Sequence, residues 1–464
     1  MARTRKDPPK PAKKTTASRS KSAAARGTKA DPKSQSKKRG GAKPKPEVAP
    51  ETRPPRFADF GVLLPGCGRP DDNAILPDLG LSDLEPGRVP PREGPFGPAL
   101  RPALEGNGEG PRFSVDRFAD ELRRRLQGNC RGWAFVVNRN GQVAAEDSGG
   151  VAVAGTDLDG SGQPLAQRNM TPDVRLNIAS VSKTITAVAI LRLLGEAGLG
   201  TEARIWPFLP PDWTLGPGVD GLRFHHLLTH RSGLTSTNSN FSQTLSDAGL
   251  QTAIAAGADP GADYNYLNAN FALFRVILPL LWREAGLSTA NNDNPVASAF
   301  FYAVYIIEEI FGRMGGVFGG NASTSPLDGN PTRYYQGANS AIGSAYGNWA
   351  LIAGGGGWHL SARELAAFLA FITYTDDILT PAQRIGMDQL LYGWQPPVES
   401  GFGSYLGHGG SISNNTNAPF PAVRTGIMKF NLQVEAAVVA NSRITGSGDS
   451  ATRLLREAYD AAWA

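Results

Sequence analysis

The sequence predicts one α/β (α+β) domain: an antiparallel sheet flanked by terminal helices, with a large helical subdomain that walls a cleft. Two observations support this fold class. A helix and a hairpin of strands open the foldable region, and a hairpin and a helix close it. Between them, helical patterns and glycine-rich loops fill almost 300 residues without a repeat period. That length is too great for a single connection, so we expect a helical insert within one domain.

The first 56 residues differ in composition from the rest of the chain. They contain 18 Lys and Arg against 4 Asp and Glu, nine prolines and no aromatic residue. Because such a segment cannot bury a core, we expect 1–56 to be a disordered basic tail. The tail carries a formal charge of +14 and the remaining chain −9, so the sequence pI near 9.1 describes the tail. Two interpretations stay open for the tail: a solubilising extension, or nonspecific binding of a polyanion.

Signals for export, membrane insertion and metal binding are weak. No apolar run of roughly 7 to 15 residues follows the basic start, so the sequence predicts no secretory signal and a cytoplasmic location. Two cysteines, Cys67 and Cys130, form no metal-binding pattern and are typical of a reducing compartment. The most apolar stretch, 296–311, contains two glutamates and is shorter than the roughly 20 residues of a spanning helix. We therefore expect a buried helix there and no transmembrane segment.

The foldable region begins after a proline- and glycine-rich stretch. Residues 57–111 interrupt both helical and strand periodicity, which predicts a linker or a wrapping arm. The domain is then expected over 112–464. Ser114 is placed to cap a helix that runs to Leu126. A strand over 133–137 follows, and Asn140 and Gly141 supply a tight turn before the returning strand at 142–146.

The C-terminal end mirrors this arrangement. Residues 426–430 and 434–439 have the composition of a second pair of strands. Ser450 is placed to cap a last helix with apolar side chains on one face.

The strongest chemical signal is a serine and a lysine three residues apart, Ser180 and Lys183. If a helix begins at Ser180, both side chains lie on the same face and within reach of each other. The helix behind them is apolar nearly all round, which predicts burial of the lysine. Burial can lower a lysine pKa from about 10.4 by about 3 units, enough to make a neutral amine near pH 7. The pair therefore predicts an activated nucleophile, while a capping serine beside a solvated lysine is the simpler interpretation of so short a motif.

Four further elements follow in order. They are the residues LLTHRSGL at 227–234, YLN at 266–268, GGGWHLSAREL at 355–365 and HGGS at 408–411. Together with Ser180 and Lys183, the sequence resembles the class C β-lactamase, DD-peptidase and carboxylesterase superfamily, which also includes D-aminopeptidases. The resemblance covers roughly 112–464 and implies a β-lactamase/transpeptidase-like fold. It also implies a serine hydrolase that acts through an acyl-enzyme.

The resemblance assigns a role to each motif residue. Ser180 would attack a carbonyl carbon, and Lys183 and Tyr266 would share the proton transfer, with the choice of base left open. The oxyanion would lie between the backbone N–H groups of Ser180 and Ser411. The residues implied in substrate binding are Asn268, which would orient the substrate amide or Lys183, and His408, Gly409 and Gly410 on a strand lining the cleft.

Two departures from the family pattern limit the substrate. Leu267 stands where a serine is common, and His408 stands where true β-lactamases have a lysine. Loss of that cation makes a small ester or a D-amino-acid amide a better candidate substrate than a β-lactam, although a weak β-lactamase activity stays open. A metal site at His225, His226 and His230 is not expected, because the glutamate of a zinc-protease motif is missing. No cofactor is predicted, and the oligomeric state is left open.

A second function uses the same fold without catalysis. The chain could be a silent binding or scaffold protein that its basic tail attaches to a polyanion. Ser180, Lys183 and Tyr266 argue against it, because a scaffold has no need for a buried amine beside a hydroxyl.

Overall fold

The structure, a computed structural model, describes residues 111–235, 245–315, 322–326, 331–413 and 421–463. The predicted tail and all but the last residue of the predicted linker lie outside the described residues, as does Cys67. The described part has the predicted architecture, an antiparallel sheet with helices at both chain ends and a helical subdomain between them.

The described helices and strands alternate along the chain. The helices are α1 Val115–Leu126, α2 Ser182–Glu196, α3 Phe224–Leu228, α4 Asp247–Ala256, α5 Asn268–Glu284, α6 Pro295–Tyr305, α7 Ala362–Tyr374, α8 Pro381–Gln389 and α9 Ala451–Ala461. The strands are β1 Gly132–Arg139, β2 Gln142–Val153, β3 Arg168–Asn169, β4 Leu176–Asn177, β5 His359–Leu360, β6 Val398–Ser400, β7 Gly403–Ile412, β8 Val423–Phe430 and β9 Val434–Ala440.

Seven strands form the main sheet in the order β3-β2-β1-β9-β8-β7-β6. Every neighbouring pair in it is antiparallel. The N-terminal hairpin lies beside the C-terminal strands because β1 pairs with β9, which places Phe135 opposite Val438. The sheet is thus completed from both ends of the chain, as predicted. A separate antiparallel pair, β4 and β5, lies beside the turn that carries Ser180.

Local signals determine the ends of the terminal elements. The Ser114 hydroxyl accepts a hydrogen bond from Arg117 N at 3.3 Å, and Ser450 does the same for Arg453 N. Asn140 and Gly141 have φ values of 56° and 75°, the left-handed conformation that a tight hairpin turn requires. These predicted features are confirmed. The strands β2 and β8 are longer than the sequence indicated.

The sheet separates two apolar cores. Side chains of β1 alternate between them: Phe135 and Val137 pack under the terminal helices, whereas Ala134 and Val136 face the helical subdomain. On the terminal side, the ring of Tyr459 in α9 stacks on Phe430 at 4.2 Å between centroids. On the other side, α2 is buried nearly all round and packs against α5, while α7 packs on the sheet, so that the helical subdomain and this face of the sheet share one continuous core.

The apolar stretch predicted as a buried helix is buried on one side only. Its helical run extends over Pro295–Met314 and includes a π-helical segment, Ile306–Phe311, after α6. Tyr302 belongs to the core, whereas Val296 is 67% and Phe300 57% exposed, so the prediction of complete burial is wrong for the first turns. By length and composition alone, this run of 20 residues could cross a membrane; it is the one such helix in the described ranges.

Candidate active site

Ser180 lies in a short 3-10 turn, Ala179–Val181, directly before α2. The turn is held from two sides: Ile178 N donates to Trp358 O at 2.8 Å, and the Thr425 hydroxyl donates to Ile178 O at 2.7 Å. Ala179 has φ +50°, a left-handed conformation that costs an L-residue about 1 kcal/mol. The helix thus begins two residues later than the sequence suggested. The surrounding hydrogen bonds hold a strained turn that presents Ser180 in a partly exposed position.

Lys183 is 0% exposed and its amine contacts three oxygen atoms. Nζ lies 3.0 Å from Ser180 Oγ, 2.8 Å from Asn268 Oδ1 and 2.5 Å from the carbonyl oxygen of Gly355. The amide and the carbonyl oxygens only accept hydrogen bonds, so they take two N–H groups of the amine. The third position of the nitrogen faces Ser180. In the neutral amine that position is a lone pair, which can accept the hydroxyl proton of Ser180.

Burial lowers the pKa of Lys183 from its ordinary value of 10.5 to about 7. No carboxylate contributes to this shift, whose cause is desolvation of the ammonium. Near neutral pH, a substantial fraction of the protein therefore carries an unprotonated amine beside Ser180. An unprotonated amine at this position is able to act as the base that we expect for Ser180.

Tyr266 hydrogen-bonds to Ser180 through its hydroxyl. The Lys183 nitrogen lies 5.0 Å from the centre of the Tyr266 ring. Burial raises the pKa of Tyr266 above that of a free phenol. Because the phenolate is disfavoured, Tyr266 is better suited to donate a proton than to remove one.

His230 supports the loop that carries Tyr266, a role that the sequence motifs did not reveal. Its Nδ1 accepts a hydrogen bond from Leu267 N at 3.2 Å, and its ring centre is 4.5 Å from that of Tyr266. The backbone oxygen of His230 accepts a second bond from Asn265 N at 2.9 Å. Desolvation and the nearby Lys183 lower the pKa of His230 to about 3, so the ring is neutral.

His408 on β7 is 1% exposed, so its side chain lies behind Tyr266 and not in an open cleft. Its Nδ1 is 2.8 Å from Gly409 O, and since a carbonyl only accepts, Nδ1 carries the proton. Desolvation and the charge of Lys183 lower the pKa of His408 well below its ordinary value. The residue is therefore a buried neutral imidazole. The resemblance implies that His408 faces the end of the substrate, but a side chain that is this deeply buried does not face an open cleft.

Ser411 occupies a free-edge position of β7. Gln395 N donates to Gly407 O, and Gly409 N donates to the Gln395 side chain, so residues 407 and 409 point their backbone groups away from β8. Backbone direction alternates along an antiparallel strand, which gives Ser411 the same orientation. The Ser411 N–H thus points outward beside the turn of Ser180, as an oxyanion hole requires.

The structure gives a different reason for the glycines at 409 and 410 than close approach of a substrate. A Cβ at Gly410 would collide with the Thr425 hydroxyl and the Ile178 carbonyl oxygen. A Cβ at Gly409 would face Thr452 of α9 at 3.3 Å, on the other side of the sheet. Gly410 is therefore needed so that β7 can pack against the turn that carries Ser180.

We expect Gly410→Ala to lower the free energy of unfolding by at least about 2 kcal/mol, because the new methyl group has no space. Gly409→Ala, the matched control, is expected to cost less than about 1 kcal/mol, because its neighbours can shift. Urea unfolding of both variants measures the difference. Equal stability of the two variants would contradict the packing role of Gly410.

The three clustered histidines do not converge. His225 Nδ1 lies 2.8 Å from Glu202 Oε1, and His226 Nδ1 accepts from Arg223 N, while His230 faces Tyr266. In the described ranges, no three His, Cys, Asp or Glu side chains are grouped closely enough to hold a metal ion. Cys130 is a free buried thiol whose pKa is raised by desolvation.

The chain is similar to proteins of a known family. The family model described as Beta-lactamase matches residues 115–459. A D-aminopeptidase from Cereibacter sphaeroides is 27% identical over 358 residues, which cover 72% of this chain and 63% of that protein. Esterase EstB from Burkholderia gladioli is 35% identical over 119 residues, 25% of this chain and 27% of the esterase. The chain thus spans less than two thirds of the curated relatives it matches.

A solved structure shows the same fold. The β-lactamase/D-alanine carboxypeptidase from Yersinia pestis superposes with a TM-score of 0.53 at 17% identity, covering 75% of this chain and 97% of that one. Since the family model matches well over half of the residues, the chain belongs to the Beta-lactamase family, within the serine hydrolase superfamily that its motifs indicated.

Proposed function

We propose that this protein is a serine hydrolase that cleaves a small, uncharged ester or amide through an acyl-enzyme. The observation that carries the proposal is the position of the Lys183 amine, 3.0 Å from Ser180 Oγ, with a pKa near 7. A nucleophile needs a base that is unprotonated at the working pH and within hydrogen-bond reach. Lys183 meets both conditions without any other ionised group.

The opposite pKa shifts of Lys183 and Tyr266 divide the proton transfer between them. The neutral amine takes the Ser180 proton as Oγ bonds to the carbonyl carbon, and the carbonyl electron pair moves to oxygen. Backbone N–H groups of Ser180 and Ser411 would stabilise that oxyanion. As the oxyanion collapses, the ammonium returns its proton to the leaving alcohol or amine, directly or through the Tyr266 hydroxyl. Water then attacks the acyl-enzyme by the same steps.

The charge of the site favours an uncharged substrate. His408 stands where β-lactamase relatives have a lysine, and it is neutral and buried. His230, the other histidine beside Tyr266, is also neutral. Neither offers a cation for the carboxylate of a β-lactam or of a peptide C-terminus. The similarity to a D-aminopeptidase and an esterase agrees with ester and amide substrates.

The proposal is tested by trapping the acyl-enzyme. The full chain is incubated with a fluorescent fluorophosphonate and, separately, with a fluorescent penicillin, and the labelled peptide is identified by mass spectrometry. We expect a phosphonate adduct on Ser180 and turnover of p-nitrophenyl butyrate, with little penicillin labelling. A silent scaffold predicts neither an adduct nor turnover, whereas rapid penicillin acylation would contradict the preference for uncharged substrates.

We expect kcat/KM for a small ester to rise about tenfold per pH unit below pH 7 and to level off above it, because only the neutral amine of Lys183 accepts a proton. His230 and His408 titrate at lower pH and do not contribute to this limb. In Tyr266→Phe the plateau should fall while the limb stays near pH 7. A limb that disappears or moves in Tyr266→Phe would instead assign the base to the tyrosine. Steady-state rates from pH 5 to 10 measure the pH profile of kcat/KM for both proteins.

A further inference from the structure

Trp349 lies beside the turn of Ser180, and Tyr346 packs against Trp349; neither aromatic residue belongs to a sequence motif. Both are partly exposed. Their rings meet edge to face, with centroids 6.1 Å apart. The backbone at Trp349 is held by a hydrogen bond from its N–H to Thr324 O at 2.9 Å. The fold thus holds both side chains in place, with the Tyr346 ring packed on Tyr334 at 4.1 Å between centroids, and leaves each residue partly exposed.

Trp349 borders the nucleophile turn across a glycine. A Cβ at Gly356 would lie 3.4 Å from Trp349 Cζ3 on one side and 3.7 Å from Ala179 O on the other. A Cβ at Gly357 would meet Trp349 Cβ at 2.8 Å. Glycines at both positions let the indole approach the residue that precedes Ser180. Larger side chains there would hold the ring away from the site.

Tyr346 extends the same surface toward the oxyanion strand. Its hydroxyl donates to Pro421 O at 2.8 Å, just before β8 begins. At that end of β8, Arg424 pairs in register with Ser411 and donates to Ile412 O at 3.1 Å. The charge of Arg424 is neutralised by an ion pair with Asp449. The aromatic surface thus reaches from the nucleophile turn to the end of β7 that carries the proposed oxyanion donor.

A substrate whose carbonyl oxygen binds between the N–H groups of Ser180 and Ser411 lies close to this aromatic surface. We propose that Tyr346 and Trp349 form the wall of an acyl-group subsite that selects flat aromatic or bulky apolar acyl groups over acetyl. Aromatic rings bury a large apolar area and stack on other rings, so the wall favours arylacetyl groups in particular. This inference rests on the proposed acyl-enzyme function and names the substrate class of that site.

The experiment compares kcat/KM for p-nitrophenyl phenylacetate and p-nitrophenyl acetate, which share a leaving group and differ in the acyl group. The wild-type protein is expected to prefer phenylacetate. Trp349→Ala should reduce the phenylacetate-to-acetate ratio about 30-fold, since loss of a ring-sized apolar contact affects only the larger acyl group. Trp349→Phe, which keeps a ring at the position, should retain most of the preference.

Trp206→Ala is the matched control. Trp206 is an exposed tryptophan in the turn Trp206–Phe208, outside the motif segments, and its removal should leave both rates unchanged. Tyr346→Ala is a second test of the wall, to be used if Trp349→Ala unfolds. It should also reduce the phenylacetate-to-acetate ratio. An unchanged ratio in the folded wall variants, or a wild-type protein without preference, would overturn the subsite. Absence of turnover for both esters together with no serine adduct is a distinct result, which rejects the hydrolase itself.

Discussion

Ser180→Ala is expected to lower kcat/KM for small esters by about 10⁴-fold or more, because the acyl-enzyme cannot form without its hydroxyl. The fold should be retained. Ser180 does not cap α2, and the turn is held by backbone and Thr425 hydrogen bonds that the substitution leaves in place. Rates with p-nitrophenyl butyrate and a thermal unfolding curve measure both properties.

Ser182→Ala is the matched control for Ser180. The Ser182 hydroxyl is buried and accepts a hydrogen bond from Trp358 N at 3.2 Å, away from the amine of Lys183. Its loss should cost about 1–2 kcal/mol of stability and little activity, because it leaves one buried N–H without a partner. A Ser180→Ala protein with wild-type turnover, or an inactive but folded Ser182→Ala protein, would reverse the assignment of the nucleophile.

Lys183→Met is expected to lower kcat/KM by about 10³-fold or more, because the Tyr266 hydroxyl, the other group that hydrogen-bonds to Ser180, has a raised pKa and stays protonated near pH 7. The remaining rate should lose the limb near pH 7, since the group responsible for it is gone. An unchanged pH profile in this variant would remove Lys183 from the mechanism.

The same substitution should change stability in a pH-dependent way. The native pKa of Lys183, about 7, lies below the value of about 10.4 for an unfolded lysine. Between these values the unfolded chain binds more protons, so the stability of the wild-type protein rises with pH across that window. The gain is about 1.4 kcal/mol per pH unit. Relative to wild type, Lys183→Met should therefore be most stable near pH 7 and lose this advantage toward pH 10.

Lys429→Met is the matched control for Lys183→Met, because Lys429 is also a buried lysine but has a carboxylate partner. Lys429 is 9% exposed and forms an ion pair with Asp388. Because Lys429→Met leaves Asp388 without that partner, we expect it to be less stable than wild type at pH 7, the opposite of the pH-linked gain in Lys183→Met. Urea unfolding at pH 7, 8 and 9 separates the two variants. If the free energies of unfolding of wild type and Lys183→Met changed in parallel with pH, the pKa of the Lys183 amine would not be lowered in the folded protein.

The elements at both ends of the domain could be predicted because their signals are local. Ser114 and Ser450 cap helices through bonds to residues three positions away, and Asn140-Gly141 forms the hairpin turn by its own φ values. Helical spacing likewise placed Lys183 within reach of Ser180, even though α2 begins two residues later than expected.

Other parts of the site depend on contacts between distant segments. The Gly355 carbonyl binds an amine 172 positions away in sequence, and His230 supports a loop 37 residues further along. Neither residue type suggests such a role by itself. A helix over 296–311 was similarly visible, but its full run of 20 residues and its exposed face were not, because burial depends on which elements pack around it.

The sequence by itself determined the fold class, the order of five motifs and the proximity of Ser180, the candidate nucleophile, to Lys183, since these follow from residue type and short-range spacing. Only the tertiary structure decided the protonation states. Complete burial of Lys183 lowers its pKa to about 7, and burial of His408 leaves it neutral, so the basic side chains of the site lose their charge as the pH rises above 7. Desolvation depends on the whole surrounding core, which no local pattern encodes.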